Sequence, residues 1–507
     1  MLSKLQSFSL IGLEGQPVDI EVDIRKGLPK VDIVGLADTA VKESKERVRL
    51  AIRNSGFSYP IASVVVNLAP ADVKKEGAMY DLPIALGVLA SSEQVEVDKL
   101  DHFVYLGELS LNGELRRLNG ILPMLISAKQ LGYTKAIVPY ENRKEASYID
   151  GMCVYAFKTL RSVVSFLNGQ EETEPVQHQK FSAKDVTSPN DMQYIKGQYM
   201  AKRAMEIAVA GGHNVLLTGA PGAGKTMLAK TIPSIMPDLT FDEALEVAKI
   251  HSVAGILEDG FVFLRPFRSP HHTATPISLS GGGQKAKPGE ISLAHNGVLF
   301  LDELPEYSKQ VLETLRQPLE DGKITVARNA QTVTYPAGFM MVASMNPCPC
   351  GNYGSATREC RCTVSEIRRY QNKISGPLLD RIDITVEVDS VSYEELVATD
   401  NLQECSAVVK ERVNKAREIQ KERFSQSKVR CNAQMSSAQI KEFCVLDAQS
   451  QTLLEQSFEK LGMTARGYNR VLKVARTIAD LENAKDINVR HVAEALQFRC
   501  PEGKNKL

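Results

Sequence analysis

The stretch Val215-Leu216-Leu217-Thr218-Gly219-Ala220-Pro221-Gly222-Ala223-Gly224-Lys225-Thr226 has the residue types and spacing to bind a polyphosphate. A short apolar run ends at Gly219. Four residues later come Gly224, Lys225 and Thr226, and then the helix-compatible Met227-Leu228-Ala229-Lys230. This is a G-x-x-x-x-G-K-[ST] loop between a strand and a helix. Its glycines let the backbone approach a phosphate closely. The N–H groups of Gly219, Ala220, Pro221's neighbours, Gly222, Ala223 and Gly224, with the helix N-terminus, then form an anion site. Lys225 is expected to reach the β- and γ-phosphates, and the Thr226 hydroxyl to hold Mg²⁺.

Such a site needs carboxylates from a second strand. Gly297-Val298-Leu299-Phe300-Leu301-Asp302-Glu303 reads as a buried parallel strand. Asp302 falls at its carboxyl end, where open α/β sheets bind ligands. Asp302 suits holding Mg²⁺ through water, and Glu303 suits polarising an attacking water. An exposed acidic turn after a core strand is common by itself. Beside a phosphate loop the pair argues for a nucleoside triphosphatase, with ATP and Mg²⁺ as its ligands.

Other groups lie further along. Cys348-Pro349-Cys350, nine residues, then Cys360-Arg361-Cys362 match a structural Zn²⁺ site of Cys₄ type; a redox pair or buried thiols is the alternative. Arg381, in a short turn beyond the core strands, is placed to reach a neighbouring subunit's nucleotide. Arg466, near the start of a helix, is another candidate to reach phosphate. His271-His272 sit among breakers at 265–283; they are either ligands or nucleic-acid contacts, or they merely fix a loop.

These side chains need scaffolds, and 507 residues allow roughly three domains at ~150 each. With 43% hydrophobic and 24% charged residues the composition is that of an ordinary globular protein. Net charge is zero, so a nucleic-acid site must be a local patch. No apolar run reaches the ~18 residues needed to span a bilayer, and the N-terminus lacks a signal-peptide h-region. A cytoplasmic protein without membrane contact is expected. Nine cysteines are too few for a disulfide scaffold of this length.

Residues 1–167 read as one α/β domain. It has strands at 18–24, 62–68 and 136–139, helices at 39–55, 81–89 and 124–131, and a hairpin over 105–115 turning at Asn112-Gly113. Residues 168–190 are polar and read as a linker. An ATPase core spans 191–390, with a helix running to Gly211-Gly212 and a long loop insertion at 265–283. It continues with a hairpin at 323–335 tipped by Arg328-Asn329, a strand at 339–344 followed by Asn346, and a helix at 364–373. Residues 391–507 read as a helical domain: 393–420, broken at Asp400-Asn401, then 437–443, 448–461, 465–481 and 489–498.

Two resemblances follow from these motifs. The Gly107-Glu108-Leu109-Ser110-Leu111-Asn112-Gly113-Glu114 hairpin, Gly120 and Ala136-Ile137-Val138-Pro139 with Glu141-Asn142 resemble the catalytic domain of Lon-type proteases. The family's serine-bearing turn corresponds to Glu76-Gly77-Ala78-Met79-Tyr80-Asp81, which has no serine, and its lysine falls near Leu122. A serine–lysine nucleophile pair is therefore absent, and a non-proteolytic scaffold or partner-binding module is expected. The phosphate loop, Leu301-Asp302-Glu303, the hairpin, Ser344-Met345-Asn346-Pro347, Asp380-Arg381 and a helical C-terminus, in that order, resemble AAA+ ATPases of the magnesium-chelatase clade.

Together they make the chain similar to the ComM/YifB family over nearly all of residues 1–500. That resemblance implies an α/β AAA+ P-loop NTPase core with a helical C-terminal lid, preceded by a Lon-protease-like α+β domain. It implies a sensor 1 role for Asn346, orienting water with Glu303, an arginine-finger role across a subunit boundary for Arg381, and a sensor 2 role for Arg466. It further implies a homo-hexameric ring whose hairpin presents Lys323, Arg328 and Asn329 to DNA in the pore. The implied activity is a DNA helicase driving branch migration, on single-stranded or branched DNA, during natural transformation. A chelatase-type motor that remodels a protein partner is the alternative; that motor subunit lacks a Lon-like N-terminal domain. An ATP-dependent protease is disfavoured by the missing serine and lysine.

Overall fold

The alternating run at 18–24 lies within a longer strand, Glu14–Arg25, paired antiparallel with Leu2–Ile11. This arrangement comes from a computed structural model that describes residues 2–182, 190–283, 286–328, 331–354, 358–389, 391, 403–427 and 429–499. Asn329, the side chain of Arg328 and the expected break at Asp400-Asn401 lie outside the described residues. The chain forms two compact units: Met1–Ser182 with Thr240–Phe263, and Ala183–Leu239 with Leu264–Leu507.

The first unit is built on a seven-stranded mixed sheet. Its strand order is Lys30–Val34, Ser63–Ala69, Glu14–Arg25, Leu2–Ile11, Phe103–Tyr105, Lys135–Pro139 and Cys153–Phe157. Val18, Ile20 and Val22 face the core from alternate positions, as the sequence pattern requires. The helix Asp81–Ser91 is buried along its whole length, as expected of a helix apolar on every side. The hairpin closes where expected: Glu108–Leu109 pairs with Leu115–Arg116, and Gly113 takes a positive φ of 83°. The next helix spans Ile121–Gln130, earlier than the expected 124–131, because left-handed Gly120 supplies its start. Leu122 is fully buried there, and Asp81 is tied to Arg47 at 2.9 Å and Ser44 at 2.5 Å.

The segment Thr240–Phe263 lies within the stretch that the sequence assigns to the ATPase core, yet it packs in the first unit. Its helix, Phe241–Ala254, opens with a Thr240/Glu243 capping box. The Gly120 N–H donates to the Ser252 carbonyl at 3.0 Å, and the Ser252 hydroxyl to buried Glu145 at 2.8 Å. Burial pushes the Glu145 carboxyl up, against the pull of Ser252 and Arg117. Phe261 stacks on Tyr148 with ring centroids 4.5 Å apart, and Phe181 lies 5.6 Å from Phe261. Part of the stretch read as a linker is thus bound to this unit: Val176 N–H donates to Val154 and Gln179 N–H to Ser147.

The second unit carries five parallel strands in the order Phe267–Arg268, Val298–Leu301, Met340–Met345, Val215–Thr218, Ile384–Glu387. The four longer strands are apolar because helices and loops cover both faces. The edge strand Phe267–Arg268 corrects the reading of 265–283 as loop alone; two residues are too few to display a period. The hairpin Lys323–Arg328/Gln331–Pro336 is present, with Ile324, Val326, Val333 and Tyr335 buried on one face. Helices Ser406–Arg423, Ser437–Phe443, Ala448–Leu461, Ala465–Leu481 and Val489–Gln497 follow. They share one apolar core with the sheet, which includes Leu217, Val413, Val471 and Ile478. A buried polar knot joins the first and fourth of them: Asp480 accepts from Arg423 at 2.8 Å, Asn432 at 2.7 Å and Arg476 at 3.1 Å. Among the described residues no helix is long and apolar enough to cross a membrane.

Candidate active site

The strand Val215–Thr218 lies between Met340–Met345 and Ile384–Glu387, and Thr218 is level with both Met345 and Glu387. That register makes the phosphate loop and Asn346 emerge side by side. The Gly219 N–H donates to the Met345 carbonyl at 3.2 Å. A Cβ at Gly219 would lie 2.3 Å from the Val388 carbonyl, so only glycine fits. Gly222 and Gly224 take φ values of 82° and 92°, and Gly224 caps the helix Lys225–Ile235. Gln198, at the start of the preceding helix, reaches the Ala223 carbonyl at 3.4 Å.

Lys225 is buried. Its Nζ donates to the carbonyls of Gly219 at 2.6 Å and Ala220 at 2.9 Å, and to Asn346 Oδ1 at 3.1 Å. Burial lowers its pKa, opposed by the charges of Asp302 and Glu303. Thr226 Oγ1 donates to Asp302 Oδ2 at 2.9 Å. The strand Val298–Leu301 runs parallel to Met340–Met345 with Leu301 level with Ala343, which sets Asp302 beside Ser344. The Ser344 hydroxyl donates to Asp302 Oδ1, and the Glu303 N–H points at Ser344 Oγ, 3.3 Å away. Ser344 is fully buried, and it is a site residue that the sequence motifs leave without a role. Its only signal was its place two residues before Asn346.

Glu303 takes a left-handed backbone, φ 53°, and its side chain is half-exposed. His272 Nδ1 lies 3.7 Å from its carboxylate, and its ring is tilted 33° to that of His271 with centroids 4.1 Å apart. The adjacent histidines therefore sit beside the acidic end of the site. The structure thus gathers Lys225, Thr226, Asp302, Glu303 and Asn346. It does not bring the two arginines to them: Arg381 binds Glu320 and the Pro377 carbonyl, and exposed Arg466 lies 3.8 Å from Asp380. Lys323 is exposed at the base of the hairpin, paired with Pro336.

The four cysteines meet. Their sulfurs all lie within 4.8 Å of one another, with Cys348–Cys350 at 3.4 Å, Cys350–Cys360 at 3.6 Å and Cys348–Cys360 at 3.7 Å. Tetrahedral Zn–S bonds of about 2.3 Å require sulfurs about 3.8 Å apart, so the donor set fits that metal. The Tyr353 N–H donates to Cys348 Sγ at 3.3 Å. Backbone N–H groups of Asn352 and Arg361 bring the Cys350 thiol down to about 6, whereas burial and the neighbouring sulfurs push the Cys360 and Cys362 thiols up.

A parallel sheet with the phosphate loop on one strand and the acidic pair two strands away is the arrangement of an AAA+ P-loop core. Comparison specifies its type. The family described as magnesium chelatase, subunit ChlI, matches residues 191–396, and its C-terminal family matches 403–499. A third family, described as subunit ChlI of Mg-chelatase, matches 20–142. The second unit is therefore a magnesium-chelatase-like AAA+ domain with a helical C-terminal region. The chain is 44% identical to the competence protein ComM of Haemophilus influenzae, over 98% of this chain and 97% of that one. It is likewise 44% identical to the protein YifB of Escherichia coli, with the same coverage. The chain belongs to the ComM/YifB family. Lon protease 2 of Bacillus subtilis is 27% identical over 180 residues, 32% of each chain.

Proposed function

We propose that this chain is an ATP-hydrolysing DNA helicase or translocase, working as a homo-hexameric ring and promoting branch migration when homologous DNA recombines during natural transformation. The observation that carries the proposal is the meeting of Lys225, Thr226, Asp302, Glu303 and Asn346 in a chain that matches a competence protein along its whole length. Backbone N–H groups of the loop 219–224 cradle the ATP phosphates. Lys225, held by two loop carbonyls and Asn346, offers its ammonium to the β- and γ-phosphates. Thr226 and Asp302, already 2.9 Å apart, are the residues that would hold Mg²⁺, which when bound offsets phosphate charge. Glu303 takes the proton of the attacking water, with Asn346 fixing that water's position. Arg381 and Arg466 complete the site, Arg381 from a neighbouring subunit. The hairpin, with Lys323, Arg328 and Asn329, pulls on DNA phosphates. The four cysteines hold a structural Zn²⁺, and the first unit serves as a non-proteolytic partner-binding module.

The test is ATP turnover and strand separation by purified protein, with and without forked or Holliday-junction DNA. DNA-stimulated turnover with unwinding is expected. A second reading is a chelatase-type motor that remodels a protein partner, favoured by the family matches to chelatase subunit ChlI. The N-terminal region no longer separates the two, since a ChlI-described family matches 20–142. Turnover indifferent to every DNA form would refute the helicase and leave the motor.

A further inference from the structure

We infer that the four-cysteine centre is a clamp on the ATP site: its metal sets the position of both the phosphate loop and Asn346. The inference rests on the reading of the centre as a zinc site. Three observations lead to it. Only Pro347 separates Asn346 from Cys348, and proline has a fixed φ, so little slack lies between the side chain that meets Lys225 and the first sulfur. The Pro347 carbonyl is held from the other side by Gln371 Nε2 at 3.1 Å, on the helix Val364–Gln371. That helix starts two residues after Cys362, so the cysteine loop is anchored at both ends beside the strand that Asn346 follows.

The second contact is with the phosphate loop itself. Gly351 follows Cys350 in a tight turn closed by its N–H on the Cys348 carbonyl at 3.0 Å, with φ 78°. A Cβ on Gly351 would lie 2.4 Å from Pro221 Cδ and 2.6 Å from Pro221 Cγ. The backbone of the turn therefore rests directly on the proline ring in the middle of the phosphate loop. Pro221 adjoins Ala220, whose carbonyl accepts from Lys225. One turn thus abuts the loop that binds phosphate, and the same segment carries the asparagine that contacts its lysine.

The third observation is what the segment lacks. Among its described residues from Cys348 to Thr363, only Cys348 and Gly351 are buried. Apart from Cys348, no side chain among those described residues is buried to hold the turn in place by packing. Four metal–thiolate bonds would supply that cohesion, since structural zinc sites fold their own loops. Without the metal the turn is free to leave Pro221, and the phosphate loop loses one of its walls.

The experiment uses the full-length chain, with metal content measured by mass spectrometry and affinity by titration with a fluorescent ATP analogue. About one zinc per chain is expected in the parent. The double variant Cys350→Ser/Cys362→Ser should lose the metal and bind the analogue at least about tenfold more weakly, a change of roughly 1.4 kcal/mol. Gly351→Val leaves all four sulfurs in place. It should keep its zinc and show the same weakening, because its side chain displaces Pro221. A parent without metal would overturn the zinc reading, and the clamp with it. A metal-loaded parent whose two variants bind nucleotide like the parent would overturn the clamp and leave the zinc reading standing. Weakening in the serine variant alone would overturn Pro221 as the route.

Discussion

Ser344→Ala tests the geometry of the site where the structure adds most to the sequence. The hydroxyl is fully buried and does two things: it donates to Asp302 Oδ1, and the Glu303 N–H is directed at its oxygen. A hydrogen bond to a charged group contributes about 1.5–3 kcal/mol. If all of that acted on the reaction barrier, turnover would fall roughly ten- to 150-fold, at 1.36 kcal/mol per decade. Asp302 retains two donors, Thr226 Oγ1 at 2.9 Å and the Glu303 N–H at 3.2 Å. The loss should therefore lie near the lower bound, about ten- to thirtyfold. The carboxylate is one of the two groups proposed to hold Mg²⁺, so the assay is steady-state ATP turnover across a magnesium titration, with metal-free analogue binding as the control. Turnover should fall and the magnesium requirement rise, while metal-free binding holds. Parental turnover at every magnesium concentration would refute the claim that Ser344 orients the carboxylate. An equal loss of metal-free binding would show that the change disturbs the loop instead.

Other outcomes follow from the same contacts. Lys225→Ala should abolish nucleotide binding, whereas Glu303→Gln should bind ATP and not turn it over; hydrolysis at the parental rate by the glutamine variant removes Glu303 from the role of base. Arg381→Ala should bind ATP but hydrolyse it about 10³–10⁵-fold more slowly. Mixing it with Lys225→Ala should restore part of the activity, because some interfaces then pair an intact loop with an intact arginine; mixed rings that form and stay inactive would rule out action in trans. Asp480→Asn leaves the guanidinium groups of Arg423 and Arg476 without their buried carboxylate and should cost about 3–5 kcal/mol in denaturant unfolding. A shift under 1 kcal/mol, on the order of a surface pair, would mean that the knot is not what ties Ser406–Arg423 to Ala465–Leu481.

The parts of the site readable from sequence are those where one short segment carries its own chemistry. Gly219, Gly224, Lys225 and Thr226 are neighbours in the chain, and their spacing is itself the geometry. Asp302 was readable because four apolar residues announce a strand and place the next residue at its end. Ser344 was not, because a serine at the end of an apolar strand looks the same whether it faces a carboxylate or a void; only the register of Leu301 against Ala343 decides it. His272 was visible as one of a pair, but its neighbour Glu303 is thirty-odd residues away and nothing local connects them. The four cysteines could be counted, yet the contact of Gly351 with Pro221 spans 130 positions. In the fold, the strand Glu14–Arg25 showed itself by alternation, whereas Phe267–Arg268 was too short to have a period. The helix Phe241–Ala254 was invisible as a member of the first unit because its partners, Gly120 and Glu145, precede it by more than a hundred residues.

That displaced helix has a consequence for how the chain is made. The first unit is not complete at Ser182; it needs Thr240–Phe263, whose last residue lies eighty-odd positions nearer the C-terminus. Synthesis at about 5–20 residues per second leaves an interval of roughly 4–16 s between the two. Throughout it, the nascent N-terminal region has its sheet in hand but lacks Phe261 to stack on Tyr148, and Glu145 lacks the Ser252 hydroxyl. The phosphate-loop segment has been translated by then, before the unit that precedes it in the chain can close. The ribosome therefore delivers this protein as two interleaved folding problems, and a chain cut at the apparent boundary would keep its apolar flank exposed to whatever chaperone or neighbour meets it first.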